Sequence, residues 1–289
     1  MPAATLIWID GVERAALSLP DRAFELGDSL FETCRLVAGA IVFEALHWQR
    51  LARGCEVLGF PDCRLPLQAQ LQGILATLGD RGIDDAIVRV TVSRGDGPRG
   101  YLAPAQPSPR IIVYVTLPSA PFATALPPLR VGLASLRLGA QPALAGIKHG
   151  SRLEQILAAN ERRLSGSDQP LWDDMLLCDY NRRPHSMASA NLFALIDGRI
   201  VTPPIADCGI AGTRRQLLLD TLAPGLGIAA HEEFITMTEL YAAQEVFCSN
   251  SVQGFRPVSR LHDCEWQQHD VCAALQGAYI AAARAEVGA

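Results

Sequence analysis

The chain has 289 residues, of which 49% are hydrophobic and 19% charged, and its 25 Lys and Arg against 30 Asp and Glu give a formal net charge of −5. This composition excludes disorder as the main state, and the acidic balance without any basic run excludes nucleic acid as the main partner. No stretch approaches about 18 consecutive apolar residues and no basic region opens the N-terminus, so we expect a cytoplasmic protein without a membrane span or signal peptide.

The first part of the chain alternates predicted strands and helices. Residues 5–9 precede the hairpin signal Asp10-Gly11 and are predicted to form a strand, and a second hairpin is predicted around Gly39. Residues 44–58 place their leucines near helical spacing, which predicts an amphipathic helix. The other predicted elements are a helix over 66–79 and strands over 86–93 and 110–116.

A change of composition follows at residues 117–128, which carry four prolines and no charge. Because proline lacks the amide donor and restricts φ, this stretch is predicted to be an extended linker. We therefore divide the chain into an N-terminal α/β domain over 1–117, a linker over 118–128 and a C-terminal domain over 129–289.

The C-terminal domain also mixes both kinds of element. Its predicted helix over 150–164 has Ser151 as a candidate N-cap. The remaining predictions are strands over 129–134, 173–178, 191–196 and 244–248 and helices over 213–222 and 268–285. The expected class is a two-domain α+β (mixed α/β) fold, because the strands are too irregularly spaced for a TIM barrel or a doubly wound sheet.

Lys148 is the single lysine of the chain, beside 24 arginines. Arginine remains protonated, whereas a lysine amine can lose its proton and attack a carbonyl group. Lys148 is therefore a candidate nucleophile, and the alternative is chance survival in an arginine-rich composition.

Other motifs exclude several chemistries. The glycine-rich segment 95–100 lacks the closing Gly-Lys-Ser/Thr of a P-loop, and no Gly-x-Ser-x-Gly elbow supports a hydrolase. The turn at 209–213 opens a predicted helix, whose first amides would suit a phosphate. The eight cysteines show no zinc-ligand spacing, so we expect reduced, mostly buried thiols and no metal.

The segment Ile147-Lys-His-x-x-Arg-Leu-Glu-Gln155 resembles the lysine segment of the class IV (fold type IV) pyridoxal-phosphate enzymes, in the form typical of 4-amino-4-deoxychorismate lyases. The resemblance runs through nearly the whole chain in the order of the family. It rests also on the segments Asp21–Glu32, His47–Leu51, Ser93–Tyr101, Ser189–Phe193, 209–215 and Glu245–Ser251.

The resemblance implies a small N-terminal domain, a larger domain that binds pyridoxal 5'-phosphate, and a homodimer. It implies that Lys148 binds the cofactor covalently and later moves protons, and that Arg50 holds the cofactor phosphate through its guanidinium fork. Thr213, Arg214 and Ser251 occupy the other phosphate positions, although Arg214 replaces a small residue. The candidates for substrate binding are Arg99, Tyr101, Asn250 and Thr33.

Ser186 departs from the family pattern. Members usually carry a glutamate five residues before the asparagine that is Asn191 here, and it pairs with the pyridine nitrogen of the cofactor. A carboxylate keeps that nitrogen protonated, as transamination requires, whereas a hydroxyl can bond it without doing so. Ser186 is therefore expected to favour elimination. His185 is an alternative partner of the nitrogen.

The expected function is a lyase that converts 4-amino-4-deoxychorismate, a small molecule, to 4-aminobenzoate and pyruvate. One alternative is a class IV aminotransferase acting on a D- or branched-chain amino acid. In those enzymes a tyrosine is common five residues after the lysine, where this chain has Leu153. Another alternative is a degenerate protein that kept the fold and binds without catalysis.

Overall fold

The computed structural model describes residues 5–14, 16–17, 19–163 and 171–288. The chain divides into two units. The first comprises Met1–Thr124, Ile147–Ser151 and Ala283–Ala289, and the second comprises Ala125–Gly146 and Arg152–Ala282. The first change of unit falls inside the proline-rich segment 118–128, and two short later segments return to the first unit.

The first unit contains a six-stranded antiparallel sheet in the order β2-β1-β6-β5-β3-β4. Its strands are β1 (Leu6–Ile9), β2 (Val12–Glu13), β3 (Ser29–Val37), β4 (Ala40–Ile41), β5 (Ala86–Ser93) and β6 (Arg110–Thr116). Its helices are α1 (Arg22–Leu26), α2 (Glu44–Leu58) and α3 (Arg64–Asp80). Val88, Val90 and Val92 alternate along β5 and are fully buried, as the period of a strand with one core face requires.

The second unit contains a nine-stranded mixed sheet, in which β9 pairs with both β8 and β10. Six strands, β7, β8, β9, β10, β13 and β14, therefore close into a ring. The strands are β7 (Leu129–Leu138), β8 (Asp174–Asp179), β9 (Pro184–Met187), β10 (Asn191–Ile196), β11 (Arg199–Thr202), β12 (Ala230–Glu232), β13 (Glu245–Asn250), β14 (Gly254–Leu261) and β15 (Cys264–Glu265).

The helices that begin in this unit are α4 (Leu153–Asn160), α5 (Thr213–Leu217), α6 (Ala223–Gly225), α7 (Met237–Ala242) and α8 (Asp270–Val287). A π-helical stretch over Leu218–Leu222 joins α5 to α6. The largest core cluster of the unit is built on strand residues such as Val131, Leu176, Leu192 and Val246.

The mixed class is confirmed, and several predicted elements have the predicted bounds. The helix over 44–58 and the strands over 86–93, 110–116 and 191–196 are found as such. The predicted cap Ser151 is wrong, because α4 begins at Leu153 with Arg152 in the N-cap position and no side-chain hydrogen bond there. This helix ends at Asn160, and residue 164 lies outside the described residues. Pairing of His149 and Gly150 with β3 keeps the chain extended past Ser151 and delays the helix.

A buried ion cluster joins α2 to β3. The carboxylate of Glu32 accepts two hydrogen bonds from Arg50, at 2.7 and 2.5 Å, and its Oε2 lies 2.7 Å from Nδ1 of His47. The side chains of Glu32 and His47 are at most 1% exposed. Burial alone would raise the pKa of Glu32, but the charge of Arg50 and the hydrogen bonds from His47 and Arg50 outweigh it and lower the pKa to about 2.

We expect Glu32→Gln to destabilise the protein by about 3–5 kcal/mol at pH 7, because it leaves a buried guanidinium without its counter-charge. The folded pKa of Glu32 lies below its ordinary value of 4.5. Its contribution to stability is therefore complete above pH 4.5 and declines as the pH falls toward 2. Denaturant unfolding at pH 7 and pH 3 should show a smaller difference between variant and wild type at pH 3.

The matched control is Glu25→Gln, because Glu25 lies exposed on α1. We expect it to change the free energy of unfolding by less than about 0.5 kcal/mol at either pH. An equal loss for Glu32→Gln at both pH values would contradict the assignment of the cluster.

Candidate active site

The segment that carries Lys148 pairs with the edge of β3. The amide of Phe31 donates to the carbonyl of Lys148 at 2.9 Å, and the amide of Gly150 donates to the carbonyl of Ser29 at 2.7 Å. A Cβ atom at position 150 would lie 2.2 Å from Oγ of Ser29, so only glycine allows this approach. The main chain therefore fixes the position of the half-buried lysine.

The lysine amine lies against the face of β3 that bears Phe31. Nζ of Lys148 lies 4.4 Å from the ring centroid of Phe31, and the guanidinium of Arg89 lies 4.0 Å from the same centroid. Thr33 shares the face of Phe31 because it lies two residues along the strand, and Arg89 is its direct partner on β5. The structure therefore brings Lys148 and the candidate Thr33 toward one aromatic ring.

Sequence reasoning missed Arg89. Arg89 is exposed and forms no salt bridge within the part of the chain that the structure describes, and partial desolvation of its guanidinium lowers its pKa. In the sequence it alternates with valines along a strand, a pattern typical of a solvated face. The available signal was a charged residue in a strand that itself contains no acidic residue. A guanidinium over the same aromatic ring as the lysine amine, without an acidic partner within the described residues, suits a carboxylate of a ligand.

The turn at 209–213 is held by its own unit. Gly146 donates to the carbonyl of Gly209 at 3.0 Å and accepts from the amide of Ala211 at 3.1 Å. Nδ2 of Asn191 donates to the carbonyl of Ile210 at 2.9 Å, and a Cβ atom at Gly212 would lie 1.8 Å from Oδ1 of Asn191. The turn therefore leads into α5 in a fixed conformation that only glycine permits.

Ser186, Asn191 and Ser249 form a row across three strands. Asn191 is the direct partner of Ser186 on β9 and of Ser249 on β13, so the three side chains share one face. Oγ of Ser249 is buried and has no hydrogen-bond partner within the described residues. Asp179, the nearest acidic residue before Ser186, is bound by the backbone and side chain of Arg183. The hydroxyl of Ser186 therefore occupies the strand position next to the asparagine.

The three predicted phosphate residues of this unit lie together. Arg214 is 1% exposed and donates to Oγ1 of Thr213 and to the carbonyl of Ser251, each at 3.4 Å. Its guanidinium lies 5.3 Å from the ring of Tyr279. The side chain of Arg214 therefore points into the protein interior. The backbone amides at the start of α5 stay in the turn that precedes the helix. Arg50, the fourth predicted phosphate residue, is bound to Glu32 in the first unit.

His185 lies against the same turn. A Cβ atom at Gly209 would lie 2.3 Å from Cε1 of His185, and neither ring nitrogen has a well-formed hydrogen bond within the described residues. Burial lowers the pKa of His185, and the Asp179 carboxylate and the Pro204 carbonyl act against that shift. His185 therefore packs against Gly209 and lies next to Ser186 on β9.

The other substrate candidates are spread over the fold. Arg99 and Tyr101 are exposed on the long loop between β5 and β6. Oδ1 of Asn250 accepts from the amides of Val252 and Gln253, so this side chain stabilises the turn between β13 and β14. Asn250 also points to the face opposite that of Ser249. The structure does not bring Asn250 into the row of Ser186 and Asn191.

Neither a metal site nor a membrane-spanning helix is found within the described residues. No group of three or more His, Cys, Asp and Glu side chains there could hold a metal ion. No helix within these ranges is long and apolar enough to cross a membrane.

Comparisons with known proteins assign the family. The family model of amino-transferase class IV matches residues 29–261. An aminodeoxychorismate lyase of Vibrio harveyi is 31% identical over 257 residues, covering 88% of this chain and 90% of that protein. A branched-chain-amino-acid aminotransferase of Escherichia coli is 27% identical, covering 88% and 84%. The crystal structure of a 4-amino-4-deoxychorismate lyase of Pseudomonas aeruginosa is 36% identical with a TM-score of 0.82, covering 94% of this chain and 97% of that chain.

The residues present fit pyridoxal phosphate. Lys148 supplies a primary amine for its aldehyde, and Thr213 opens a helix behind a glycine turn that has no room for a side chain. Ser249, in the same unit as Thr213, has a buried hydroxyl without a hydrogen-bond partner within the described residues. The chain belongs to the class IV aminotransferase family and is a pyridoxal-phosphate-dependent enzyme of fold type IV.

Proposed function

We propose that this chain is a lyase that converts 4-amino-4-deoxychorismate to 4-aminobenzoate and pyruvate. The observation that carries the proposal is Ser186, a hydroxyl beside Asn191 at the position where a carboxylate would hold the cofactor ring protonated. The similarity to two proteins named as lyases of this substrate supports the same reaction. Both cover most of this chain.

Lys148 carries the proton transfers in this proposal. When bound, pyridoxal phosphate withdraws electrons from the carbon that bears the substrate amine and so acidifies its proton. The amine of Lys148 removes that proton, the ring C–O bond to the enolpyruvyl group breaks, and the same amine returns a proton to the methylene carbon as pyruvate leaves. Proton transfer by a positioned group contributes about 10²–10⁴-fold to a rate. The ring gains aromaticity, which drives the reaction without any oxidant.

Ser186 biases the reaction toward elimination. Its hydroxyl would hold the ring nitrogen of the cofactor without requiring that nitrogen to be protonated. Transamination would need the stronger electron sink that a protonated ring supplies. Elimination expels the leaving group at once and so tolerates a weaker sink.

Arg89 and Thr33 supply contacts for a substrate carboxylate in this proposal. Both lie on the face of the sheet that bears Phe31, whose ring is in contact with the lysine amine. Arg99 and Tyr101 supply further contacts from the long loop. In this proposal Arg50, Thr213, Arg214 and Ser251 would hold the cofactor phosphate.

The proposal includes a homodimer in the cytoplasm. Leu153, Ile156 and Leu157 lie on one face of α4 and are each more than half exposed. Exposed apolar residues at this helical spacing are typical of a surface that a partner covers. All eight cysteines are free thiols, as expected in a reducing compartment.

The second candidate function is a class IV aminotransferase. The 27% identity to a branched-chain-amino-acid aminotransferase over most of the chain favours it. Two features favour the lyase instead: the hydroxyl at Ser186, and Leu153 at the position where the aminotransferases commonly have a tyrosine. A catalytically degenerate binding protein is a third possibility, and turnover tests it directly.

Incubation of the purified holoenzyme with 4-amino-4-deoxychorismate should release equal amounts of 4-aminobenzoate and pyruvate. Lys148→Ala should reduce the rate by about 10²-fold or more, because the proton-transferring amine is lost. Product is measured by chromatography and by a coupled pyruvate assay. Formation of pyridoxamine phosphate from amino acids without 4-aminobenzoate would identify an aminotransferase, and no turnover of either kind would support the binding protein.

Replacing Ser186 tests the bias toward elimination. In Ser186→Glu we expect a lower lyase rate and faster conversion of the cofactor to its pyridoxamine form by amino acids, because the carboxylate strengthens the electron sink. Ser186→Ala is the matched control and should lower the lyase rate by roughly two- to tenfold, the value of one hydrogen bond, without gaining transamination. Unchanged rates of both reactions in Ser186→Glu would remove the role given to this hydroxyl.

A further inference from the structure

The loop between β5 and β6 is long for a hairpin connection. It runs from residue 94 to residue 109 and carries Arg99 and Tyr101. Connections longer than about 12–15 residues without their own secondary structure are uncommon in domains and usually have a function. Tyr101 is 90% exposed, so its side chain does not hold the loop in place. Other residues must therefore fix the position of this loop.

Arg22 binds the tip of the loop through three consecutive carbonyl groups. Nη1 donates to the carbonyls of Gly100 at 3.1 Å and Leu102 at 3.4 Å, and Nη2 donates to the carbonyl of Tyr101 at 3.0 Å. Arg22 is 3% exposed. Its backbone amide also donates to the carbonyl of Gly95 at 3.0 Å, at the start of the same loop.

Asp28 binds the guanidinium of Arg22. Nε of Arg22 donates to Asp28 at 2.9 Å, and the same carboxylate oxygen accepts from Nε of Arg94 at 2.7 Å. Arg94 donates in turn to the carbonyls of Leu58 and Gly59 at the end of α2. Burial opposes the ionisation of Asp28, but the hydrogen bonds from Arg94 and Arg22 outweigh it and lower its pKa. The tip of the loop is thus tied to the end of a helix.

Close packing leaves little freedom along the loop. A Cβ atom at Gly97 would lie 2.5 Å from Cδ of Arg22, and a Cβ atom at Gly95 would lie 2.1 Å from the carbonyl oxygen of Ser108. The φ of Gly95 is +84°, a conformation that side chains rarely adopt. The glycines of this segment therefore let the loop approach both Arg22 and its own returning strand.

Asp21 holds both ends of the loop. Its carboxylate accepts from Oγ of Ser93, the last residue of β5, and from Nη1 of Arg110, the first residue of β6. It also accepts from the amide of Ala23 and so caps α1. The neighbouring residues Asp21 and Arg22 thus contact the two ends and the tip of one loop.

We propose that Arg22 is a positioning residue for substrate binding, which fixes the loop so that Arg99 and Tyr101 face the substrate. This inference rests on the proposed function, in which those two residues contact a substrate carboxylate. It gives a role to Asp21 and Arg22, which contact the loop. A lysine cannot replace Arg22, because three carbonyls and a carboxylate require the planar fork of a guanidinium.

The test compares Arg22→Lys and Gly97→Ala with the wild-type holoenzyme. Gly97→Ala keeps every charge and displaces Arg22 by contact alone, so it carries the test if Arg22→Lys folds poorly. In both variants we expect faster hydrogen–deuterium exchange of the amides of the non-proline residues in 96–104. We also expect KM for 4-amino-4-deoxychorismate to rise about ten- to hundredfold while kcat changes by less than about threefold, because the loss is in substrate positioning. The absorbance of the bound cofactor should stay unchanged.

Two further variants separate the possible roles. Arg64→Lys, at an exposed ion pair with Asp62, is the matched conservative control and should change none of these quantities. Arg99→Gln should raise KM without changing the exchange of the loop, because it removes a contact and not the anchor. Unchanged exchange in both Arg22→Lys and Gly97→Ala, or faster exchange with an unchanged KM, would overturn the proposal.

The exchange measurement needs no turnover, so it remains informative if the proposed function fails. Absence of lyase activity in the wild-type protein would remove the proposed function. In that case the loop anchor is still tested by exchange, and the KM comparison is made with the amino acid that converts the cofactor. Without any such amino acid, the role in substrate positioning is overturned.

Discussion

The open edge of β3 is the constraint on which the candidate site depends. An unpaired strand edge exposes backbone donors and acceptors that must find partners. Here residues 148–150 supply them, through the bonds from Phe31 to Lys148 and from Gly150 to Ser29. The lysine is therefore placed by main-chain pairing, and its side chain can serve chemistry. Two residues earlier, Gly146 is hydrogen-bonded to the glycine turn of its own unit.

Alternating side chains of β3 point to opposite faces of the sheet, and the two faces have different roles. Glu32 points to α2 and binds Arg50 and His47, while its neighbour Phe31 points to the opposite face and contacts Lys148 and Arg89. In the second unit a similar row runs across strands rather than along one. A register shift of one residue would move each of these side chains to the wrong face. Backbone pairing therefore decides which side chains meet.

Much of this was predictable from local sequence. The helix over 44–58 and the strand over 86–93 follow from periodicity, and Lys148 follows from its surrounding motif. The row of Ser186, Asn191 and Ser249 was not predictable from local sequence, because Ser249 lies on β13, which is distant in sequence from β9 and β10. Arg89 was missed for the same reason, since its partner Thr33 lies on another strand. The predicted start of α4 was wrong, because the pairing of residues 149–150 with β3 overrides the capping signal of Ser151.

Covalent attachment of the cofactor at Lys148 is the central claim, and reduction with borohydride followed by peptide mass analysis tests it most directly. Because Lys148 is the single lysine, any side-chain amine that binds the cofactor must belong to this residue. We predict one reduced phosphopyridoxyl group per chain, on the peptide that contains Lys148, and none in Lys148→Arg, which keeps the charge without an attacking amine. Cofactor fixed in equal amount in Lys148→Arg, or no cofactor fixed to the wild-type protein, would contradict the account.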